Sequence, residues 1–128
     1  MRVFIADDAA FIREFLKSLF QNMGWQVVGE AETGEEVLER LPRMLPDLLV
    51  MDIVMPLMSG KDALKILRPQ YPHIKVLICT TLVNDVVVDS NLFDAKLNKP
   101  FNLDEFKATL TSLGFKKGAP YGSYETGS

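Results

Sequence analysis

Two adjacent carboxylates, Asp7 and Asp8, a third at Asp52, hydroxyls at Thr80 and Thr81, and an ammonium at Lys99 are the residues of this sequence with the chemistry to handle a phosphoryl group. Each stands where an apolar run ends: the acidic pair after "RVFIA", Asp52 after "DLLVM", the threonines at the close of "IKVLICTT", and Lys99 after "AKLN". Each also has a plain structural alternative. Asp8 could cap a helix, Thr80 could be a β-branched strand residue and Lys99 a solvated loop lysine. Asp52 resists such a reading best. A lone carboxylate is costly to bury, and nothing near it in sequence neutralises it.

If the acids meet, two carboxylates about 4 Å apart repel by roughly 4 kcal/mol at an effective dielectric of about 20. The cluster must then take up a proton or bind a cation. Hard oxygen ligands in an open crevice suit Mg²⁺, which also favours phosphate oxygens. The metal and Lys99 would offset charge on a transferred phosphoryl group. A carboxylate there could act as a nucleophile and form an acyl phosphate.

The elements that would bring these residues together follow from the pattern. "RVFIA" reads as a first strand. In the helix that follows, Phe11, Phe15, Leu16, Leu19 and Met23 recur at helical spacing, with Gly24 as the stop. "WQVVGEAE" is a second strand. Thr33 with Glu36, and Ser59 with Asp62, have the spacing of helix starts before "EVLERL" and "ALKILR". "DLLVMD" and "IKVLICTT" are apolar throughout, as expected of strands covered on both faces, and "AKLNK" is a weak fifth. Asn102 can cap a last helix with the stripe Leu103, Phe106, Leu110 and Leu113. This alternation calls for an α/β fold, a doubly wound five-stranded parallel sheet with helices on both faces. Its ligands bind beyond the carboxyl ends of the strands, where the six residues stand.

A chain of 128 residues suggests one domain. We take 1–115 as that domain and 116–128, without a stripe and rich in Gly and small polar residues, as a flexible tail. The net charge of −3 recommends neither nucleic acid nor an anionic membrane as a partner. The single cysteine, Cys79, cannot form an internal disulfide, and no long apolar span or signal pattern is present, so a cytoplasmic protein is expected. His73 reads as a loop residue and Trp25 as packing at the edge of the core.

The segments "ADDAAFIR", "LLVMDIVMPLMSG", "VLICTT" and "KPF" resemble the receiver domain of two-component response regulators, of the CheY-like single-domain type. The resemblance runs from Arg2 to about Gly114, and the pattern D-x-x-M-P-x-M-x-G at 52–60 is its most specific part. It implies the flavodoxin-like strand order 2-1-3-4-5 and a set of roles. Asp52 would accept the phosphoryl group. Asp7, Asp8, Asp52 and the backbone carbonyl of Val54 would hold Mg²⁺. Thr80 would bind the phosphoryl oxygens and Lys99 would pair with them. The donor would be a histidine kinase or histidine phosphotransfer protein. The face of the fourth helix, fifth strand and fifth helix would meet a downstream effector, from a monomer or a dimer formed on phosphorylation. The chain would dephosphorylate itself and act on no separate substrate, so it is not expected to be an enzyme.

Three departures from the pattern bear on function. Lys96 stands where the family usually has an aromatic that swings inward with the Thr80 hydroxyl. "VNDVVVDSN", 83–91, is poor in helix formers, so a short, distorted or mobile fourth helix is expected. Val54 and Leu82, at positions that tune water attack, are apolar, and Thr81 is bulky, so autodephosphorylation should be slow. The main alternative is a pseudo-receiver, the same fold used as a constitutive binding module. A phosphatase of the haloacid dehalogenase type would want a second Asp where Val54 stands. An FMN carrier would want a Ser/Thr/Gly-rich loop where "ADDAAF" stands.

Overall fold

The apolar runs 3–6, 48–51 and 76–79 lie within the strands β1 (Arg2–Ala6), β3 (Leu48–Met51) and β4 (Lys75–Thr80) in a computed structural model, which describes residues 1–81 and 88–115. The other elements are α1 (Ala10–Asn22), β2 (Gln26–Ala31), α2 (Gly34–Met44), α3 (Gly60–Gln70), a 3₁₀ turn (Ser90–Leu92), β5 (Ala95–Asn98) and α4 (Leu103–Ser112). All strand pairs are parallel, in the order β2-β1-β3-β4-β5. The three central strands are buried on both faces, which is why they do not alternate.

Successive side chains on those strands feed two separate cores. Phe4, Leu49, Met51, Val76 and Ile78 pack with Val37 and Leu41 of α2 and with Ala63 and Leu64 of α3. Val3, Ile5, Val50, Leu77 and Cys79 pack with Leu16 and Phe20 of α1 and with Phe106 and Leu110 of α4. The sheet is therefore covered on both sides, as the alternation of elements required.

Helix starts behave as the sequence indicated in three cases. Thr33 and Ser59 accept the backbone N–H groups of Glu36 and Asp62. Asn102 and Glu105 form a reciprocal capping box. In the fourth case Asp8 does not cap: the N-cap of α1 is Ala9, which offers no side-chain hydrogen bond. The Ala9 N–H instead donates to Asp7 Oδ1 at 2.9 Å.

Other expectations need correction. The stripe on α1 splits: Leu16 and Phe20 are in the core, but Phe11 and Phe15 are 77% and 47% exposed. At about 100° per residue Phe11 lies about 180° and Phe15 about 140° around the helix from Phe20, off the arc that faces the sheet. Leu103 is likewise exposed while Phe106, Leu110 and Leu113 are buried. Trp25 is 3% exposed and packs edge-on against Phe20 and Phe115, so it belongs to the core and not its edge. Of the segment expected to form a distorted fourth helix, 83–87 lie outside the described residues. The remainder holds the 3₁₀ turn, with Asp89 accepting the Asn91 N–H. The last helix, fifth in the sequence reading, is α4 here. The tail at 116–128 also lies outside the described residues.

Candidate functional site

Three ladder bonds fix the rim. Asp7 N–H donates to the Ala31 carbonyl at 3.0 Å, Asp52 N–H to the Ala6 carbonyl at 2.9 Å, and Lys99 N–H to the Thr80 carbonyl at 3.0 Å. Each continues the pattern of the sheet one residue past the end of a strand. Asp7, Asp52 and Lys99 are therefore held at the same carboxyl edge by the backbone itself.

The side chains converge as well. One carboxylate oxygen from each of Asp7, Asp8 and Asp52 lies within 4.8 Å of the others. Asp7 and Asp52 are buried and Asp8 is exposed. Lys99 Nζ lies 2.5 Å from Asp7 Oδ2 and 3.4 Å from Asp52 Oδ2, so one ammonium spans both buried acids. The second oxygens are also held: Asp7 Oδ1 by the Ala9 N–H, and Asp52 Oδ1 by the Val54 N–H at 3.1 Å.

Burial pushes the Asp52 carboxyl above its ordinary range; Lys99 opposes that shift and Asp7 adds to it. Burial would lower the ammonium of Lys99, but its hydrogen bond to Asp7 and the charge of Asp52 outweigh that and hold Lys99 above its usual value. Cys79, in the core beneath, is pushed up to about 12 by burial and has no thiolate chemistry at neutral pH.

The loop after Asp52 is tightly built. A Cβ on Gly60 would lie 2.2 Å from the Asp52 carbonyl oxygen, so the start of α3 needs a glycine. Gly34, at the start of α2, donates its N–H to the Met58 carbonyl at 3.0 Å, and a Cβ there would lie 2.6 Å from that oxygen. Leu57 at the loop's tip is 86% exposed and left-handed, at φ 67°.

Thr80 is buried at the end of β4 and Thr81, next to it, is exposed. Lys96 is exposed on β5, in register with Ile78, one strand repeat back from the rim. Two features escaped the sequence reading. Arg13 of α1 donates to the Asp7 carbonyl at 2.7 Å and to Glu30 at 2.9 Å. An apolar hollow of about 500 Å³, lined by Phe11, Ile12, Phe15, Pro100 and Phe101, opens beside Lys99 and Thr81. The signal for the hollow was the helical spacing of Phe11 and Phe15.

A family model of the response regulator receiver domain matches residues 3–111. This chain belongs to that family. It is a CheY-like receiver domain of two-component signalling, 40% identical to the chemotaxis protein CheY of Thermotoga maritima over 87 residues, 68% of this chain and 72% of that one. Against CheY of Bacillus subtilis the identity is 37% over 106 residues, 80% and 88% of the two chains. The response regulator TrrA of Thermotoga maritima, solved in complex with Mg²⁺–BeF, is 32% identical at TM-score 0.78, covering 88% of this chain and 97% of that one. The receiver fold also occurs inside larger enzymes: a protein-glutamate methylesterase of Hahella chejuensis is 35% identical over 74% of this chain but only 28% of its own length. Among the described residues no helix is long and apolar enough to cross a membrane.

Proposed function

We propose that this receiver accepts a phosphoryl group on Asp52 from a phosphohistidine of a histidine kinase or histidine phosphotransfer protein in the cytoplasm. The observation that carries the reading is the ammonium of Lys99 spanning two buried carboxylates, Asp7 and Asp52, at the carboxyl edge of the sheet. Asp8 adds a third carboxylate to the group. Three carboxylates against one ammonium leave two negative charges, which fits a divalent cation bound by hard oxygens. Asp7, Asp8, Asp52 and the carbonyl of Val54 would hold Mg²⁺. Bound there, such an ion would supply positive charge to offset that of the acids and of a phosphoryl group. TrrA in its Mg²⁺–BeF complex supports this assignment.

The step needs little more than positioning. An Asp52 carboxylate oxygen bonds to phosphorus, the phosphorus–nitrogen bond to the donor imidazole breaks, and the imidazole nitrogen keeps the electron pair. Lys99, released from Asp52 Oδ2, pairs with a phosphoryl oxygen, and the Thr80 hydroxyl donates to another. The hollow beside Phe11, Phe15 and Phe101 is where we seat the donor protein, because a partner on it lies against Lys99. The output face would include β5 with Lys96 and α4. Residues 1–115 form the receiver and 116–128 a tail.

Incubation with acetyl phosphate tests the reading by intact mass. One phosphoryl adduct is expected with Mg²⁺, and none without Mg²⁺ or in Asp52→Asn. An adduct that persists in Asp52→Asn contradicts it. A constitutive binding module has one observation in its favour, the exposed Lys96 in place of an inward-swinging aromatic. It predicts partner binding unchanged by phosphorylation.

A further inference from the structure

The peptide joining Asp7 to Asp8 sets where the two carboxylates stand relative to each other. Its carbonyl is gripped by a side chain from α1: Arg13 Nη1 donates to the Asp7 oxygen at 2.7 Å. The same guanidinium donates through Nε to Glu30 on β2 at 2.9 Å, and its side chain is only 12% exposed. Glu30 is fixed in turn by Lys17 at 2.8 Å. The hydrogen bond from Lys17, then that from Arg13, hold Glu30 below its usual carboxylate range, so it stays an anion that anchors the guanidinium. Asp7 is thus held at its N–H by the Ala31 carbonyl and at its carbonyl by Arg13. A two-pronged guanidinium suits this task, since one prong takes the anchor and the other the carbonyl.

We infer that Arg13 is a positioning residue for the acidic group: by orienting the Asp7–Asp8 peptide it sets the affinity of the group for a divalent cation. This rests on the reading of Asp7, Asp8 and Asp52 as a Mg²⁺ site. A tie between α1 and β2 alone would not explain the contact with the Asp7 carbonyl. Lys17 already ties α1 to Glu30 without touching the site, and so provides the control.

The test is calorimetric titration of the full chain with Mg²⁺, with thermal unfolding recorded without the metal. Arg13→Ala is expected to weaken Mg²⁺ binding about tenfold, the usual loss when a residue that orients a ligand is removed. Lys17→Met, which cuts the same ion network elsewhere, should bind within twofold of wild type. Arg13→Lys, whose compact ammonium lacks the fork, should fall between wild type and Arg13→Ala. If Arg13→Ala does not fold, Glu30→Gln loosens the anchor and should weaken binding about threefold, again the direction set by loss of an orienting partner. Unchanged affinity in Arg13→Ala, or an equal loss in Lys17→Met, overturns the inference while leaving the Mg²⁺ site intact. Failure of the wild-type chain to bind Mg²⁺ overturns the site reading itself.

Discussion

Gly60 packs so closely beneath Asp52 that a Cβ on it would lie 2.2 Å from the Asp52 carbonyl oxygen. The obstacle is backbone, not the end of a movable side chain. The Gly60 N–H also donates to the Ile53 carbonyl at 2.9 Å, which closes the loop after Asp52. The glycine therefore sets both the start of α3 and the direction in which Asp52 points. Gly60→Ala is expected to lose about 2–3 kcal/mol of stability, as overpacked sites do. Urea unfolding measures the loss, and phosphorylation by acetyl phosphate should slow in parallel.

Arg68 on α3 and Asp94 before β5 form a two-pronged pair at 3.0 and 2.9 Å, and Asp94 also accepts the Val76 N–H at 2.8 Å. Burial would raise the carboxyl of Asp94, but the hydrogen bonds from Arg68 and Val76 outweigh it and hold it below its usual range. An acid with a lowered folded-state value stabilises the fold above its unfolded value and loses that contribution as pH falls through the folded one. Wild type should therefore lose stability from about pH 4 downward, near the ordinary aspartate value. Asp94→Asn should be less stable at pH 7 by about 1–2 kcal/mol, the worth of hydrogen bonds to a charged group, and show a flatter acid limb. An equally steep limb in the variant would contradict the assignment.

Phe11 and Phe15 line the hollow beside Lys99 while contributing little to the core. Phe11→Asp should leave the unfolding midpoint nearly unchanged, as exposed substitutions usually do. Transfer from a phosphorylated histidine donor should slow at least about tenfold, in keeping with loss of an aromatic contact at an interface. Labelling by acetyl phosphate, which needs no docking face, should keep its wild-type rate. Loss of both activities together would place Phe11 in the fold and not at the donor face.

Dephosphorylation should be slow. Val54 follows Asp52 with its side chain half exposed and has no group to position a water. Thr81 is exposed beside Thr80, and Leu82 lies outside the described residues. The phosphorylated form is expected to persist for minutes or longer in Mg²⁺ buffer, followed by intact mass, and Val54→Asn should shorten that life. A lifetime of seconds in the wild-type chain would contradict this.

The site was legible in the sequence because its residues sit one step past strand ends, and a strand end is marked by where an apolar run stops. Asp7, Asp52 and Lys99 are held there by ladder hydrogen bonds, so finding the strands was enough to find the rim. Thr33, Ser59 and Asn102 were legible for the same local reason: a cap and its partner are three residues apart. Asp8 fitted a cap by spacing, but the helix starts one residue later, with Ala9 as its N-cap. Phe11 shows the limit on apolar patterns. Steps of four residues link Phe11, Phe15, Leu19 and Met23, but each step turns about 40°, so the row drifts off the face that the sheet covers. Arg13 was missed because its contacts with Asp7 and Glu30 join α1 to two strands, and no spacing encodes that.

The central claim is that Asp52, among the three clustered acids, takes the phosphoryl group. Reduction with borohydride converts an acyl phosphate on aspartate to homoserine, and peptide mass spectrometry then reads the position. After acetyl phosphate and Mg²⁺, homoserine is expected at position 52 and at neither 7 nor 8. Homoserine at 7 or 8, or none at 52 in a chain that binds Mg²⁺, would contradict the account.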